Sequence, residues 1–309
     1  MSNRAKRDQE RARTATMKIS LLGTGLMGAP MALKLHQSGH SVTAYNRTPA
    51  KLEPLQAEGL VTTSDPVEAL QASDCIVLMV TDRDAIASIL FDDNTHSLLA
   101  GKTIIQMGTI APTHSRELLQ TVMAAGGDYL EAPVLGSIPQ VKDGSLIVMV
   151  GATPEQYRTW VPVLSCFDPE PRLVGEVGTA AAAKLAMNQL IGSLTAAFAL
   201  SLGFAQKQGL DTEILMTILR QSALYAPTFD KKLQRMSDRD YSNPNFPSKH
   251  LLKDMNLFAE EAHQCGLDAR LAETVSRVVQ QAVTLGYQDD DYSALFSAIV
   301  PTAATTQHS

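Results

Sequence analysis

The stretch KISLLGTGLMGAPMALKL, residues Lys18–Leu35, decides the fold. A short apolar run leads into GTGLMG, the glycine-rich segment Gly23–Gly28. A helical pattern follows, because Met27, Met31 and Leu35 recur four residues apart. A strand, a glycine turn and a helix in this order are the context in which a GxGxxG motif predicts dinucleotide binding.

The three glycines of this motif have different tasks. Gly23 allows a tight turn, Gly25 lets the backbone approach a pyrophosphate, and Gly28 lets the helix pack closely on the strand. Free N–H groups at the start of the helix provide the anion site. We therefore predict cofactor contacts along the whole segment, at Gly23, Thr24, Gly25, Leu26, Met27 and Gly28.

Composition and charge limit the possible functions. The chain has 309 residues, which is enough for two domains, and its 45% hydrophobic and 19% charged content is that of a globular protein. A net charge of −6 provides no basic surplus for a nucleic-acid partner. Three widely separated cysteines without a CxxC spacing predict no disulfide and a cytoplasmic location.

The two ends of the chain are polar. Residues 1–16 lack the apolar core of a secretory signal, and we expect either a disordered extension before a domain that begins at Met17, or a start assigned too early, with Met17 as the true first residue. An organelle transit peptide is the weaker alternative, because Asp8 and Glu10 are unusual in such segments. Residues 302–309 are expected to form a tail.

The second strand, Ser41–Tyr45, ends at Asn46, Arg47 and Thr48. An NAD enzyme usually places an acidic residue near this point to bind the ribose 2′-hydroxyl. A guanidinium and a hydroxyl suit a 2′-phosphate instead, so the sequence predicts NADPH as the cofactor. The alternative interpretation is a solvated turn in which the arginine is incidental.

Further apolar runs alternate with helical stretches, which predicts a parallel, doubly wound sheet covered on both faces. Ligands of such sheets bind at the carboxyl ends of the strands. The loops there contain further candidate binding residues, namely Met79, Val80, Thr109, Leu135, Gly136 and Ser137.

Beyond Val174 the composition changes. Lys184 is the only charged residue between Thr179 and Ala205, so the twenty-one residues from Leu185 to Ala205 are uncharged. This length permits a membrane span, but the polar residues within it favour a buried central helix. Only helical patterns follow, so we predict an α/β domain over residues 17–178 and an all-helical domain over residues 179–301.

Lys184 is the candidate proton donor. Its helical neighbours are apolar or neutral, and Asn188 lies one turn further on the same face. A hydride transfer to a carbonyl requires a proton donor and a group that holds the oxygen. The alternative is a structural lysine that binds backbone carbonyls.

A second lysine, Lys253, lies in the amphipathic segment FPSKHLLKDMNLFAEEA. By itself this pattern is typical of a helix with a solvated polar face. The seven histidines and three cysteines form no metal-binding motif, so no metal is expected.

Several motifs in order resemble the β-hydroxyacid dehydrogenase family, and within it the glyoxylate/succinic semialdehyde reductase branch. The resemblance extends from Met17 to about Val300. Its specific segments are Gly23–Pro30, Asn46–Thr48, Glu131–Gly151, Gly175–Asn188 and Phe246–Asp254.

This resemblance implies a Rossmann domain, a long interdomain helix and a helical domain, in a homodimer or homotetramer. Lys184 would be the catalytic lysine and Asn188 would orient the substrate. Thr109 and Lys253 would contact the nicotinamide end of the cofactor. Gly136 and Ser137 would hold the substrate carboxylate.

Three residues depart from the usual family pattern. Leu135 replaces a serine whose hydroxyl reaches the substrate carboxylate, which shifts the preference toward larger or less polar carbonyl compounds. The loss of such a hydrogen bond to a charged group costs about 1.5–3 kcal/mol. Ala180 replaces a glycine, and Glu131 replaces an aspartate, as in the semialdehyde reductase branch.

The sequence thus predicts an NADPH-dependent reductase of a small carboxylated aldehyde, glyoxylate or succinic semialdehyde, without a membrane or nucleic-acid partner. Alternatives within enzymes are a dehydrogenase of the 3-hydroxyisobutyrate or tartronate-semialdehyde type, and an imine reductase. An alternative from another class is a non-catalytic NADP-binding scaffold.

Overall fold

A computed structural model describes residues 16–301 of the chain. Residues 1–15 of the extension predicted over residues 1–16, and the predicted tail at residues 302–309, lie outside the described residues. The described chain forms two compact units that divide between Lys184 and Leu185. This division falls inside a long helix, six residues after the boundary that the composition predicts.

The first unit contains the sheet. Its strands in chain order are β1 (Lys18–Leu22), β2 (Ser41–Tyr45), β3 (Val61–Thr63), β4 (Cys75–Leu78), β5 (Thr103–Gln106), β6 (Asp128–Glu131), β7 (Val134–Leu135), β8 (Ile147–Gly151) and β9 (Arg172–Gly175). β1 and β4 are apolar runs buried along nearly their whole length, as the sequence predicts for a sheet covered on both faces. The sequence pattern does not indicate β3 and β9, because both are short and largely exposed.

The described strands form one sheet in the order β3-β2-β1-β4-β5-β6-β8-β7, and β9 pairs with β8. The first six strands in this order, from β3 through β1 to β6, run parallel to one another. Strand β8 runs antiparallel to β6 and β7. The chain moves outward from β1 to β3 and then returns to the other side of β1. This reversal places the topological switch point at the carboxyl ends of β1 and β4.

Helices connect these strands. They are α1 (Gly28–Gln37), α2 (Glu53–Ala57), α3 (Pro66–Gln71), α4 (Arg83–Leu90), α5 (Pro112–Ala124), α6 (Ile138–Asp143) and α7 (Pro154–Leu164). Successive residues of β4 alternate between two apolar clusters, with Cys75 and Val77 in one and Ile76 and Leu78 in the other. The sheet is therefore covered on both faces, and the predicted doubly wound α/β fold is confirmed.

The second unit is helical. Its helices are α8 (Thr179–Lys207, which begins in the first unit), α9 (Thr212–Gln221), α10 (Pro227–Asp238), α11 (Ser248–Gln264), α12 (Arg270–Ala282) and α13 (Leu295–Ile299). Asp211 caps α9 by accepting the N–H groups of Glu213 and Ile214. At α12 the N-cap position is Ala269, and Asp268, one residue earlier, accepts the N–H of Arg270, the first residue of the helix.

Helix α8 differs from its prediction. It is long and apolar enough to span a membrane by length and composition alone, yet only 39% of its most apolar window is buried within the chain. Exposed side chains follow its length, including Met187, Leu190, Leu194, Leu200 and Phe204. The expectation of a fully buried central helix is therefore wrong for the single chain.

Candidate functional site

Two positions in the glycine turn after β1 leave no room for a side chain. Gly23 has φ +104°, and a Cβ there would lie 2.4 Å from the carbonyl oxygen of Met79. A Cβ on Gly28 would lie 1.8 Å from the carbonyl oxygen of Gly23. Only glycine fits at either position, so the tasks that the motif predicts for these two residues correspond to observed geometry.

The same turn leaves room above the start of α1. A Cβ on Gly25 would meet no heavy atom within 4 Å, and Leu26 is exposed. Met27 precedes the helix without a side-chain cap, and its first turn contains no acidic residue. The hydroxyl of Thr24 is buried and has no hydrogen-bond partner among the described residues. Free N–H groups and an unpaired hydroxyl fit the pyrophosphate of a dinucleotide.

The tip of β2 lies against this turn, because the N–H of Gly23 donates to the carbonyl of Tyr45 at 2.9 Å. The side chain of Asn46 accepts the N–H of Thr48 at 2.9 Å and is thus engaged in its own turn. Arg47 and Thr48 are exposed beside it. The guanidinium is therefore accessible to an anionic group such as a 2′-phosphate.

The ends of β4 and β5 meet next to the glycine turn. Met79 and Val80 are half-buried, and a Cβ on Gly108 would lie 2.6 Å from the carbonyl oxygen of Val80. Thr109 follows in a half-buried position. The structure thus brings together the glycine turn and the first two predicted binding loops.

The loop after β7 contains the predicted carboxylate-binding residues. Leu135 is half-buried, and Gly136 has φ +131°. The N–H and the hydroxyl of Ser137 both donate to the side-chain oxygen of Gln140, at 2.9 and 2.7 Å. A substrate carboxylate would therefore compete with Gln140 for the polar groups of Ser137. The signal in the sequence is the capping-box spacing of Ser137 and Gln140 at the start of α6.

Lys184 lies half-buried near the start of α8. The first turn of this helix is bound by Glu131 at the end of β6, whose carboxylate accepts the N–H groups of Gly178, Ala180 and Ala181. Glu131 is 1% exposed. The sequence identified Glu131 only as a departure from a motif and assigned it no role.

In the helical unit, Asn188 and Lys253 both contact Asp254, a residue to which the sequence pattern assigned no role. Asn188 Nδ2 donates to Asp254 Oδ2 at 2.6 Å, and Lys253 Nζ lies 3.1 Å from Asp254 Oδ1. This second contact is an ion pair without hydrogen-bond alignment, and Oδ1 accepts no hydrogen bond from the described residues.

Asp254 is 2% exposed, which is rare for a carboxylate. Because it holds one amide hydrogen of Asn188, it fixes which way the amide faces. A signal was present in the sequence, since Asp254 lies three residues after Leu251 and four before Phe258 on the apolar face of α11. An acid on such a face points to a buried polar partner.

Two family models match the chain in succession. The model described as the NAD binding domain of 6-phosphogluconate dehydrogenase matches residues 18–170. The model described as NAD-binding of NADP-dependent 3-hydroxyisobutyrate dehydrogenase matches residues 178–299. Their order follows the order of the two units.

Glyoxylate/succinic semialdehyde reductase 2, chloroplastic, from Arabidopsis thaliana is 32% identical over 286 residues, which are 92% of this chain and 80% of that protein. This chain belongs to the β-hydroxyacid dehydrogenase family. The resemblance that the motifs indicate is therefore confirmed.

One further relative agrees with this β-hydroxyacid dehydrogenase assignment, and one solved structure shares the fold. The 2-hydroxy-3-oxopropionate reductase of Escherichia coli (strain K12) is 31% identical over 286 residues, which are 92% of this chain and 97% of that protein. The structure of Mycobacterium tuberculosis 3-hydroxyisobutyrate dehydrogenase with L-serine has a TM-score of 0.82 at 23% identity. It covers 92% of this chain and 99% of the other, and it shows the shared fold.

As a β-hydroxyacid dehydrogenase, the protein is an oxidoreductase that acts on CH–OH groups with a nicotinamide cofactor. The glycine turn, the buried hydroxyl of Thr24 and the loop at Thr109 fit such a cofactor in the first unit. Lys184 and Asn188 lie one turn apart on α8, and an amine and an amide are the kinds of group that protonate and hold a carbonyl oxygen in a hydride transfer.

Proposed function

We propose that the protein reduces a small carboxylated aldehyde, glyoxylate or succinic semialdehyde, to the hydroxyacid with NADPH. The observation that carries the proposal is Lys184 on a helix that has no other charge before Lys207. The printed name of the plant relative supports the substrate class. The exposed Arg47 and Thr48 at the tip of β2 support NADPH over NADH.

The residues of the chain have distinct tasks in this reaction. The bound nicotinamide supplies the hydride. Lys184 donates a proton to the carbonyl oxygen, which gathers negative charge as the hydride arrives. Asn188 holds the same oxygen from one turn further along α8, in an amide orientation that Asp254 fixes. A protonated amine suits reduction at neutral pH.

Lys184→Ala tests the assignment. Because general acid catalysis contributes about 10²–10⁴-fold, we expect kcat to fall by about that factor while NADPH binding stays unchanged. NADPH oxidation followed at 340 nm gives kcat, and quenching of the Trp160 fluorescence gives binding. Lys207→Ala, at the exposed end of the same helix, is the matched control and should behave as wild type.

Full activity of the Lys184→Ala variant would show that Lys184 is not the proton donor. Tight NADPH binding by the wild type without turnover of any aldehyde would instead favour the scaffold function.

A second candidate substrate is 2-hydroxy-3-oxopropionate (tartronate semialdehyde), or 3-hydroxyisobutyrate in the oxidative direction. The name of the E. coli relative favours the former. Leu135 is the specific feature of this pocket, because it offers methyl groups where a hydroxyl would bind a carboxylate. Steady-state kcat/KM values for glyoxylate, succinic semialdehyde, tartronate semialdehyde and 3-hydroxyisobutyrate decide between them.

We also infer that the protein assembles as a homodimer or homotetramer. The exposed apolar side of α8 supports this, because Met187, Leu190, Leu194 and Phe204 follow spacings that keep them on one side of the helix. Exposed apolar patches of this kind mark association surfaces. Sedimentation equilibrium of the wild type at micromolar concentration should give at least twice the monomer mass.

A further inference from the structure

The first turn of α8 has no cap of its own. Backbone N–H groups in the first turn of any helix lack partners within the helix. Gly178, just before the helix, has no side-chain oxygen to accept them, and the hydroxyl of Thr179 donates to the carbonyl of Glu176 instead. The start of the helix that carries Lys184 therefore depends on a group from elsewhere in the chain.

Glu131 provides this group. Its Oε1 accepts the N–H groups of Gly178 and Ala180 at 2.8 Å and that of Ala181 at 3.1 Å. Ala180 and Ala181 are the second and third residues of α8, whose N–H groups an N-cap side chain usually binds. A strand residue 49 positions away from Ala180 thus acts as the cap.

The other carboxylate oxygen connects to the cofactor side of the unit. Oε2 accepts the hydroxyl of Ser115, and this hydroxyl lies 2.9 Å from that of Tyr129. Ser115 belongs to α5, which begins three residues after the predicted nicotinamide contact Thr109. One carboxylate therefore links β6, the helix after the Thr109 loop, and the helix that carries Lys184.

The backbone around Glu131 is built to admit this carboxylate. A Cβ on Gly151 would lie 2.4 Å from Oε1, so only glycine leaves the necessary space on the neighbouring strand β8. Burial raises the pKa of Glu131, whereas the Ser115 hydroxyl and the three N–H groups oppose that rise by stabilising the anion. A buried carboxylate held by several donors has little freedom to move.

We propose that Glu131 is a positioning residue: it fixes the first turn of α8 and thereby the place of the Lys184 amine. Lys184 is only three residues beyond Ala181, so any fraying of that turn displaces the amine. The proposal rests on the proposed reductase function, in which Lys184 must meet a carbonyl oxygen. The task requires an acceptor at Oε1 and does not require the negative charge.

Three variants separate positioning from general stability. In Glu131→Gln the amide oxygen still accepts the three N–H groups, and the amide N–H donates to the Ser115 hydroxyl. Glu131→Ala removes both. Asp168→Ala is the matched control, because Asp168 is a buried carboxylate of the same unit that accepts the N–H groups of Val148 and Glu170 away from α8.

We expect kcat of Glu131→Ala to fall about 100-fold, since a displacement of about 1 Å costs that factor. The KM for NADPH should change less than about threefold. Glu131→Gln should restore kcat to within about tenfold of wild type, with an unchanged pH profile. Asp168→Ala should lower the melting temperature but keep kcat.

A second measurement needs no substrate. Amide hydrogen exchange of residues 178–184, read by mass spectrometry, should accelerate in Glu131→Ala and stay slow in Glu131→Gln and Asp168→Ala. This measurement tests whether Glu131 caps α8 even if the wild type turns over none of the four aldehydes and hydroxyacids. In that case only the proposed function would be wrong.

Unchanged exchange in Glu131→Ala would overturn the proposal. Wild-type kcat in that variant would do the same, as would an equal loss of kcat in Asp168→Ala. A Glu131→Gln variant as inactive as Glu131→Ala, with normal exchange, would show that the charge itself is required and would also overturn it.

Discussion

Under the proposed function, Arg47 and Thr48 are the residues that distinguish the two nicotinamide cofactors. They are exposed at the tip of β2. Asn46, which lies between the strand and Arg47, accepts the N–H of Thr48 through its side chain. The position therefore offers a guanidinium and no carboxylate, which attracts a 2′-phosphate and gives no specific contact to a 2′-hydroxyl.

Arg47→Ala should weaken this discrimination. The loss of a hydrogen bond to a charged group costs about 1.5–3 kcal/mol, so the KM for NADPH should rise about 10- to 150-fold while that for NADH changes little. Steady-state kinetics with both cofactors measure the two values. Arg158→Ala, an exposed arginine on α7, controls for the lost charge, and an equal rise for both cofactors would contradict the prediction.

Other residues of the site show how far the sequence predicts it. Gly23 and Gly28 were assigned from spacing alone, because the sterics of a glycine turn are local. Glu131 and Asp254 were not assigned roles, since the N–H groups at the start of α8 that Glu131 accepts and the Asn188 amide that Asp254 accepts lie 47 to 66 residues away in the chain. A buried carboxylate acquires its role from such distant donors, which no local pattern contains.

At the scale of elements, helix α10 shows the limit of composition. Its sequence PTFDKKLQRMSD is strongly polar, and only Phe229 and Met236 are buried among its residues. These two residues and Leu233 nevertheless follow a helical spacing. The spacing of these apolar residues indicates the helix where composition does not, whereas the three residues of β3 are too few to show any period.

Helix α11 contains a titrating group with a measurable effect. Burial lowers the pKa of His250 below 6.5, and the neighbouring Lys253 and Lys249 lower it further, while Asp254 and Asp289 oppose them. As pH falls through 6.5, the unfolded chain binds a proton that the folded protein does not. His250 therefore contributes stability above that pH, and the contribution is lost as pH falls toward the folded pKa.

We expect the stability difference between pH 7.5 and pH 5.5 to be smaller in His250→Gln than in wild type, by up to about 1.4 kcal/mol per pH unit. Urea unfolding followed by circular dichroism measures it at both values. His36→Gln, at an exposed position in α1, serves as the control and should retain the wild-type dependence. An unchanged dependence in His250→Gln would show that this histidine does not titrate differently in the two states.

For the whole molecule, α8 is the element that the single chain leaves incomplete. One side of it packs in the core of the helical unit through Phe198, Ala199 and Leu202. The other side remains apolar without a cover, and Phe204 is 66% exposed there. The sequence predicted burial on all sides because an uncharged run does not reveal whether its own chain or a second copy covers it.

If a second copy covers this side, a charge on it should separate the subunits. Phe204→Glu places a carboxylate in the interface, and burying it without a partner costs several kcal/mol, so the dissociation constant should rise about 100-fold or more. Sedimentation velocity over a concentration series measures the shift. Met123→Glu, an exposed apolar position on α5, is the control and should sediment as wild type. A Phe204→Glu variant that keeps the assembly of the wild type would show that the subunits meet elsewhere, and α8 would then need another partner.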